Sequence, residues 1–248
     1  MTTPDVWEPF VPSRSVQRRE MAGWFNIVRL AGIPVRSVDP RRTDYAPVFL
    51  IPGFLSGDWS MIPLARRLRR AGHPTLSSGI VVNSGCTEAL IDGLERRLEQ
   101  AVETAGRPLA VVGQSRGGTL GRMLVAKRPD LAAGLITLAS PLLHQLATTR
   151  MVVRQVDTIA RLNVRGWPWL LSADCLAGGC AERTNVMLAA EWPEGMPFTS
   201  IYSRGDGVVD WRACLDPAAE HIEVRSTHNG MGANRTVQRF VLSRLAAL

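Results

Sequence analysis

Apolar residues recur along this chain in two alternating rhythms, and their order predicts the architecture. A continuous apolar run, Ala46-Pro47-Val48-Phe49-Leu50-Ile51, stops at Pro52-Gly53 and reads as a strand buried on both faces. Thr75 to Val82 reads as a weaker strand. Leu109 to Gly113, Gly134 to Leu138, Pro197 to Tyr202 and His221 to Arg225 read as four more. Helical periods lie between them: Met61 to Ala71, Thr87 to Thr104 with leucines at 90, 94 and 98, Ser115 to Lys127, and Asn234 to Ala247. A further helix, Arg14 to Leu30, precedes the first strand and carries Val16, Met21, Trp24 and Val28. Strands alternating with helices imply parallel βαβ units, hence an α/β fold whose mostly parallel sheet has helices on both faces. After Pro141 the alternation lapses for about 55 residues. We read that stretch as a short helical cap-like insertion, at about 144–196, within a single domain spanning 1–248.

Composition narrows the class. The chain has 248 residues, 46% of them hydrophobic and 21% charged, which suits a globular domain and excludes disordered or collagen-like chains. No apolar run is long enough to span a membrane. Met1 to Arg18 shows no apolar leader, so a cytoplasmic location is expected. The formal charge of +7 comes from 29 basic residues of which only Lys127 is lysine, leaving 28 arginines by subtraction. That skew is spread along the chain. Its densest cluster, Arg66, Arg67, Arg69 and Arg70, ends a helical period where cations complement the helix dipole. No nucleic-acid partner is expected, since a basic patch needs a recognition module beside it. Cys86, Cys175, Cys180 and Cys214 are too few for a disulfide scaffold. Cys175 and Cys180 could close a small loop or supply two metal thiolates, and either could pair with Cys214. Their spacing exceeds the usual two-residue gap and no histidine pair follows, so free thiols and no metal are the expectation.

In open α/β sheets, ligands bind beyond the carboxyl ends of the strands, so the loops there are where chemistry belongs. Gly113-Gln114-Ser115-Arg116-Gly117 matches G-x-S-x-G and joins an apolar strand to a helix. A nucleophile on so tight a turn needs glycines two positions to either side, because a Cβ there would strike the neighbouring backbone. Its base must be a histidine on a loop at the same edge. His228, in Ser226-Thr227-His228-Asn229-Gly230-Met231-Gly232 after the last strand, fits that place. His73, His144 and His221 read as surface or packing residues. The base needs an orienting carboxylate, and Asp206, flanked by Gly205 and Gly207 after the strand ending at Tyr202, is preferred to Asp210. Donors for a developing oxyanion would be the backbone N–H groups of Phe54, in the loop Pro52-Gly53-Phe54-Leu55, and of Arg116.

This order of Pro-Gly-Phe loop, serine elbow, aspartate and histidine resembles the α/β-hydrolase superfamily, and within it the small bacterial lipase-like and esterase-like hydrolases. The resemblance covers about Val48 to Leu248. It implies Ser115 as nucleophile, His228 as general base, Asp206 as its orienter, and Phe54 and Arg116 as the oxyanion hole. Two departures stand out: the first strands of the full fold are replaced by a helical N-terminus, and Gln114 precedes the nucleophile where many relatives have histidine. Leu55, Trp59 and Met231 are candidate substrate contacts, with Trp167, Trp169, Leu170, Leu171 and Met187 of the insertion as possible pocket lining. The expected activity is hydrolysis of small carboxylic esters with short to medium acyl chains, without a cofactor. Thioester or amide hydrolysis and acyl transfer use the same residues. A non-catalytic binding protein on a hydrolase scaffold is the alternative from another class.

Overall fold

The computed structural model describes residues 7–31, 38–41, 44–167 and 169–248. Six strands form one sheet: β1 (Val48–Ile51), β2 (Thr75–Ser77), β3 (Leu109–Gln114), β4 (Ala132–Leu138), β5 (Phe198–Tyr202) and β6 (Glu220–Glu223). They lie in the order β2-β1-β3-β4-β5-β6, and every neighbouring pair is parallel. Among the described residues no strand precedes Val48, in line with the expected loss of the first strands.

The alternation of side chains along the central strands explains the two cores. Phe49, Ile51, Leu109, Val111 and Leu135 face helices α3 (Thr87–Ala105) and α4 (Arg116–Lys127). Val48, Leu50, Ala110, Val112, Ile136 and Leu138 face the other way, onto α2 (Ile62–Arg70) and α8 (Arg235–Leu245). Buried on both sides, β1 and β3 have no polar face to show, which is why they read as unbroken apolar runs.

One expectation needs correction. β2 ends at Ser77 instead of running to Val82. The Asp58 carboxylate accepts bonds from Ser78 Oγ (2.6 Å) and Gly79 N (2.8 Å), and Gly79 takes φ of +79°, so the chain leaves the sheet there. The N-terminal helix α1 (Arg14–Ala31) forms, but its inner face is not the apolar one. Met21, Trp24 and Val28 are 60%, 38% and 48% exposed, whereas Glu20 and Ile27 are 6% and 3% exposed. Between β4 and β5 run α5 (Arg150–Val164), α6 (Asp174–Ala177) and α7 (Gly179–Leu188). Leu171, Val156 and Ile159 of this stretch gather a small core of their own against Phe54. Beneath it, a buried ion pair joins Arg122 Nε to Asp216 Oδ2 at 2.8 Å, and Arg122 also donates to the Ala190 carbonyl.

Candidate active site

Ser115 stands at the junction of β3 and α4 with φ 54° and ψ −129°, a left-handed region that a non-glycine residue enters only where its surroundings compel it. The turn is closed by Ser115 N donating to the Leu138 carbonyl (2.8 Å) and Gly118 N to the Ser115 carbonyl (2.9 Å). Its glycines are required by contact. A Cβ on Gly113 would lie 2.4 Å from the Gly117 carbonyl oxygen, and one on Gly117 would lie 2.3 Å from that of Ile51.

Asp206 follows β5 on a turn that anchors its carboxylate. Oδ1 accepts from the N–H groups of Val208 and Val209 (both 2.8 Å), which leaves Oδ2 to meet His228 Nδ1 at 2.8 Å. Both side chains are buried. Burial alone would push the His228 imidazole down, but the Asp206 charge and hydrogen bond, with a contribution from Glu20, outweigh it and raise its pKa. The ring is thereby fixed with Nε2 as the free nitrogen. No hydrogen bond joins the Ser115 hydroxyl to that nitrogen, but both residues line one cavity of about 250 Å³ together with Phe54, Leu55, Leu171 and Val156.

The loop after β1 brings Phe54 to the same cavity. Among the described residues, neither the Phe54 nor the Arg116 N–H has an intramolecular acceptor, so both donors are available to a ligand. Asn83 holds this loop in place: its Nδ2 donates to the Pro52 carbonyl (2.8 Å), its N–H to Ser56, and its carbonyl accepts from Leu55 N. Leu55 itself sits at φ 53°.

Solved structures that share this fold include lipases, esterases and a thioesterase domain. The lipase BlEst2 of Bacillus licheniformis, in its mature form, is 14% identical with a TM-score of 0.58, over 86% of this chain and 96% of that one. A monoacylglycerol lipase of Paleococcus ferrophilus is 14% identical with a TM-score of 0.59, over 85% and 96%. The thioesterase domain from the curacin biosynthetic pathway is 15% identical with a TM-score of 0.55, over 85% and 93%. The chain has the α/β-hydrolase fold. No protein-family model and no curated protein matches it by sequence.

Within this α/β-hydrolase frame, the structure sorts the other candidates. Asp210 turns away from His228 to cap a 3-10 helix at Arg212 N and to pair with the Arg212 guanidinium. His73 bonds the Ala46 carbonyl and His221 that of Asp216. His144 lines the cavity, and its burial lowers its pKa. Of the proposed substrate contacts only Leu55 lines the cavity. Met231 is wholly buried in the α2–α8 core, and Trp59 packs edge-on against Trp24 at 5.4 Å, each held by neighbours that the loop position concealed. Trp167 and Trp169 are largely exposed and meet each other edge-to-face, and Met187 packs on the α3–α4 core. Cys214 is buried against Tyr202 and Val209, apart from the other thiols, and all four cysteines are free.

One residue that sequence reasoning passed over is central. The Glu20 carboxylate of α1 accepts from Gly207 N (2.9 Å), His228 N (2.7 Å) and Asn229 N (2.9 Å). It therefore ties the aspartate loop to the histidine loop from a helix that precedes the sheet. Gly207 permits the approach, since a Cβ there would lie 2.5 Å from Val16 Cγ1. Gln114 adds a second tie, donating from Nε2 to the His228 carbonyl at 3.1 Å. The signal was present: Val16, Glu20, Gly23 and Ile27 form one helical stripe, but Met21, Trp24, Phe25 and Val28 form a more apolar one.

Proposed function

We propose that this chain is a serine hydrolase of carboxylic esters with short to medium acyl chains. The observation that carries the reading is the buried 2.8 Å bond from Asp206 to His228, in the cavity that also holds the strained elbow serine. In this reading Ser115 Oγ attacks the acyl carbon while His228 Nε2 takes its proton. The negative charge that develops on the carbonyl oxygen is met by the N–H groups of Phe54 and Arg116. His228 then returns the proton to the leaving alcohol. Water, deprotonated by the same nitrogen, releases the acid from the acyl-enzyme. Asp206 keeps the ring in the required tautomer and stabilises the imidazolium.

The acyl-length assignment rests on the cavity, about 250 Å³ and below the usual range of drug-sized sites. Residues 144–196 would roof that cavity as the insertion that selects substrate, within one domain of 1–248. The location proposed is cytoplasmic. No described helix is long and apolar enough to cross a membrane. A thioester is the second reading, favoured by the likeness to the curacin thioesterase domain.

The test is hydrolysis of p-nitrophenyl acetate, butyrate, octanoate and palmitate by the native chain and by Ser115→Ala. The expected result is an optimum at or below octanoate and a loss of at least about a thousandfold in the variant. No hydrolysis of any ester by folded protein that a fluorophosphonate labels at Ser115 would move the reading to thioesters or acyl transfer. Absence of labelling as well would overturn it.

A further inference from the structure

We propose that Cys86, Cys175 and Cys180 form a structural site for a thiophilic divalent cation, with zinc as the ion it fits. The three thiols come from separate places: Cys86 immediately precedes α3, Cys175 lies in α6 and Cys180 in α7. Cys86 Sγ is 3.5 Å from Cys180 Sγ, Cys180 Sγ is 3.6 Å from Cys175 Sγ, and all three lie within 4.8 Å of one another. Four sulfurs placed tetrahedrally about zinc at about 2.3 Å are about 3.8 Å apart. The triangle is thus already close to one face of such a site.

The backbone holds the triangle without help from the sulfurs. Leu171 N donates to the Ser84 carbonyl at 2.9 Å, and Gly85 and Leu170 form an antiparallel bridge, so the Cys86 segment is paired to the chain leading into α6. The turn between α6 and α7 is fixed by Cys180 N donating to Asp174 Oδ2 at 3.1 Å. Donors positioned by other interactions are what a metal site needs, since the ion then does not have to order its own ligands.

Charge gives an independent argument. The half-buried Arg116 guanidinium donates to Asn83 O, Asn83 Oδ1, Gly85 O and Thr87 Oγ1, at 2.8–3.4 Å, on both sides of Cys86. All four acceptors are neutral, so among the described residues no carboxylate is paired with this cation. Three thiolates around a divalent ion carry a net charge of −1, which balances Arg116. A water can complete the coordination, since the Glu88 carboxylate near Cys180 is held by the Arg183 guanidinium. Binding releases three thiol protons and changes no oxidation state. Because Cys175 and Arg116 also line the cavity of Ser115, the ion would fasten α6 and α7 to α3 above the candidate active site.

The proposal is independent of the reaction catalysed, and its readout is metal content. The protein is purified reduced and without chelators from zinc-containing medium, and zinc per chain is measured by mass spectrometry. The expected result is one zinc, with affinity at least tenfold weaker in each of Cys86→Ser, Cys175→Ser and Cys180→Ser and unchanged in Cys214→Ala. Should the serine variants not fold, cobalt added to the reduced native chain decides. Intense thiolate-to-cobalt charge-transfer bands with a tetrahedral visible spectrum support the site, and an unchanged aqueous cobalt spectrum overturns it. Zinc retained by Cys175→Ser and Cys180→Ser would also overturn it. So would an intact mass lower by two hydrogen atoms from a Cys86–Cys180 disulfide that forms in the presence of zinc.

Discussion

Replacing Glu20 by glutamine removes one charge and one acceptor from the hub that joins the aspartate and histidine loops. In the native chain its two oxygens serve three backbone donors, with Gly207 and His228 on Oε1 and Asn229 on Oε2. Glutamine keeps an acceptor for the first two and sets an NH2 group against Asn229 N. A buried donor left without an acceptor costs about 1–3 kcal/mol. For a chain of this size that corresponds to a fall in Tm of about 2–12 °C. Glu20→Ala strands all three donors, two of them in buried hydrogen bonds, and should cost about 3–9 kcal/mol on the same scale. The chemical consequence is separate from the structural one. Glu20 is one of the charges that raise the His228 pKa, against the burial that lowers it. His228 must be neutral to act as base, so activity rises with pH through that pKa. Without the Glu20 charge the rising limb moves to lower pH. The assay is the pH profile of kcat/KM on a p-nitrophenyl ester, with the rate of fluorophosphonate labelling of Ser115 as a second, substrate-free profile. Both limbs should shift to lower pH in Glu20→Gln, while Glu20→Asp restores part of the native profile. Lower stability with an unmoved limb would refute the electrostatic role and leave Glu20 as a fastening only.

Asp206→Asn should lower kcat by about ten-thousandfold with little change in KM, because the amide can hold Val208 and Val209 but not the required histidine tautomer. Arg122→Met leaves Asp216 charged and buried without its partner and should cost about 3–5 kcal/mol, read as the midpoint of urea unfolding. Leu55→Ala and Met231→Ala make a contrasting pair. The first, on the cavity wall, should raise KM for octanoate with Tm nearly unchanged, and the second, in the core, should cost about 2–5 kcal/mol in stability. A Met231→Ala variant of native stability and altered chain-length preference would reverse these assignments.

How much of this was legible in the sequence depended on the range of the interactions involved. β1, β3 and β4 were readable because burial on both faces demands apolar residues at nearly every position, a local signature. The elbow was readable because its strain demands glycines at fixed offsets from Ser115. Asp206 and His228 were found by position after strands, and the structure joins them by a hydrogen bond. What escaped was set by contacts distant along the chain. Glu20 meets His228 across 208 positions, and Cys86 meets Cys180 across 94. No spacing rule connects such residues. Met231 and Trp59 illustrate the same range: both flank loops at the carboxyl edge of the sheet, but Met231 is buried in the α2–α8 core and Trp59 packs on Trp24 of α1.

The Glu20 hub also gives the chain a temporal order. Its carboxylate is synthesised before all three of its partners, two of which lie in the histidine loop some 208 positions later. The β1 loop and the serine elbow can take shape on the growing chain as soon as their strands pair. The His228 loop cannot be locked in place until residues 228 and 229 have emerged and α1 has closed on them. On the proposed reading, a growing chain therefore carries Ser115 without its base until the histidine loop has emerged and met Glu20.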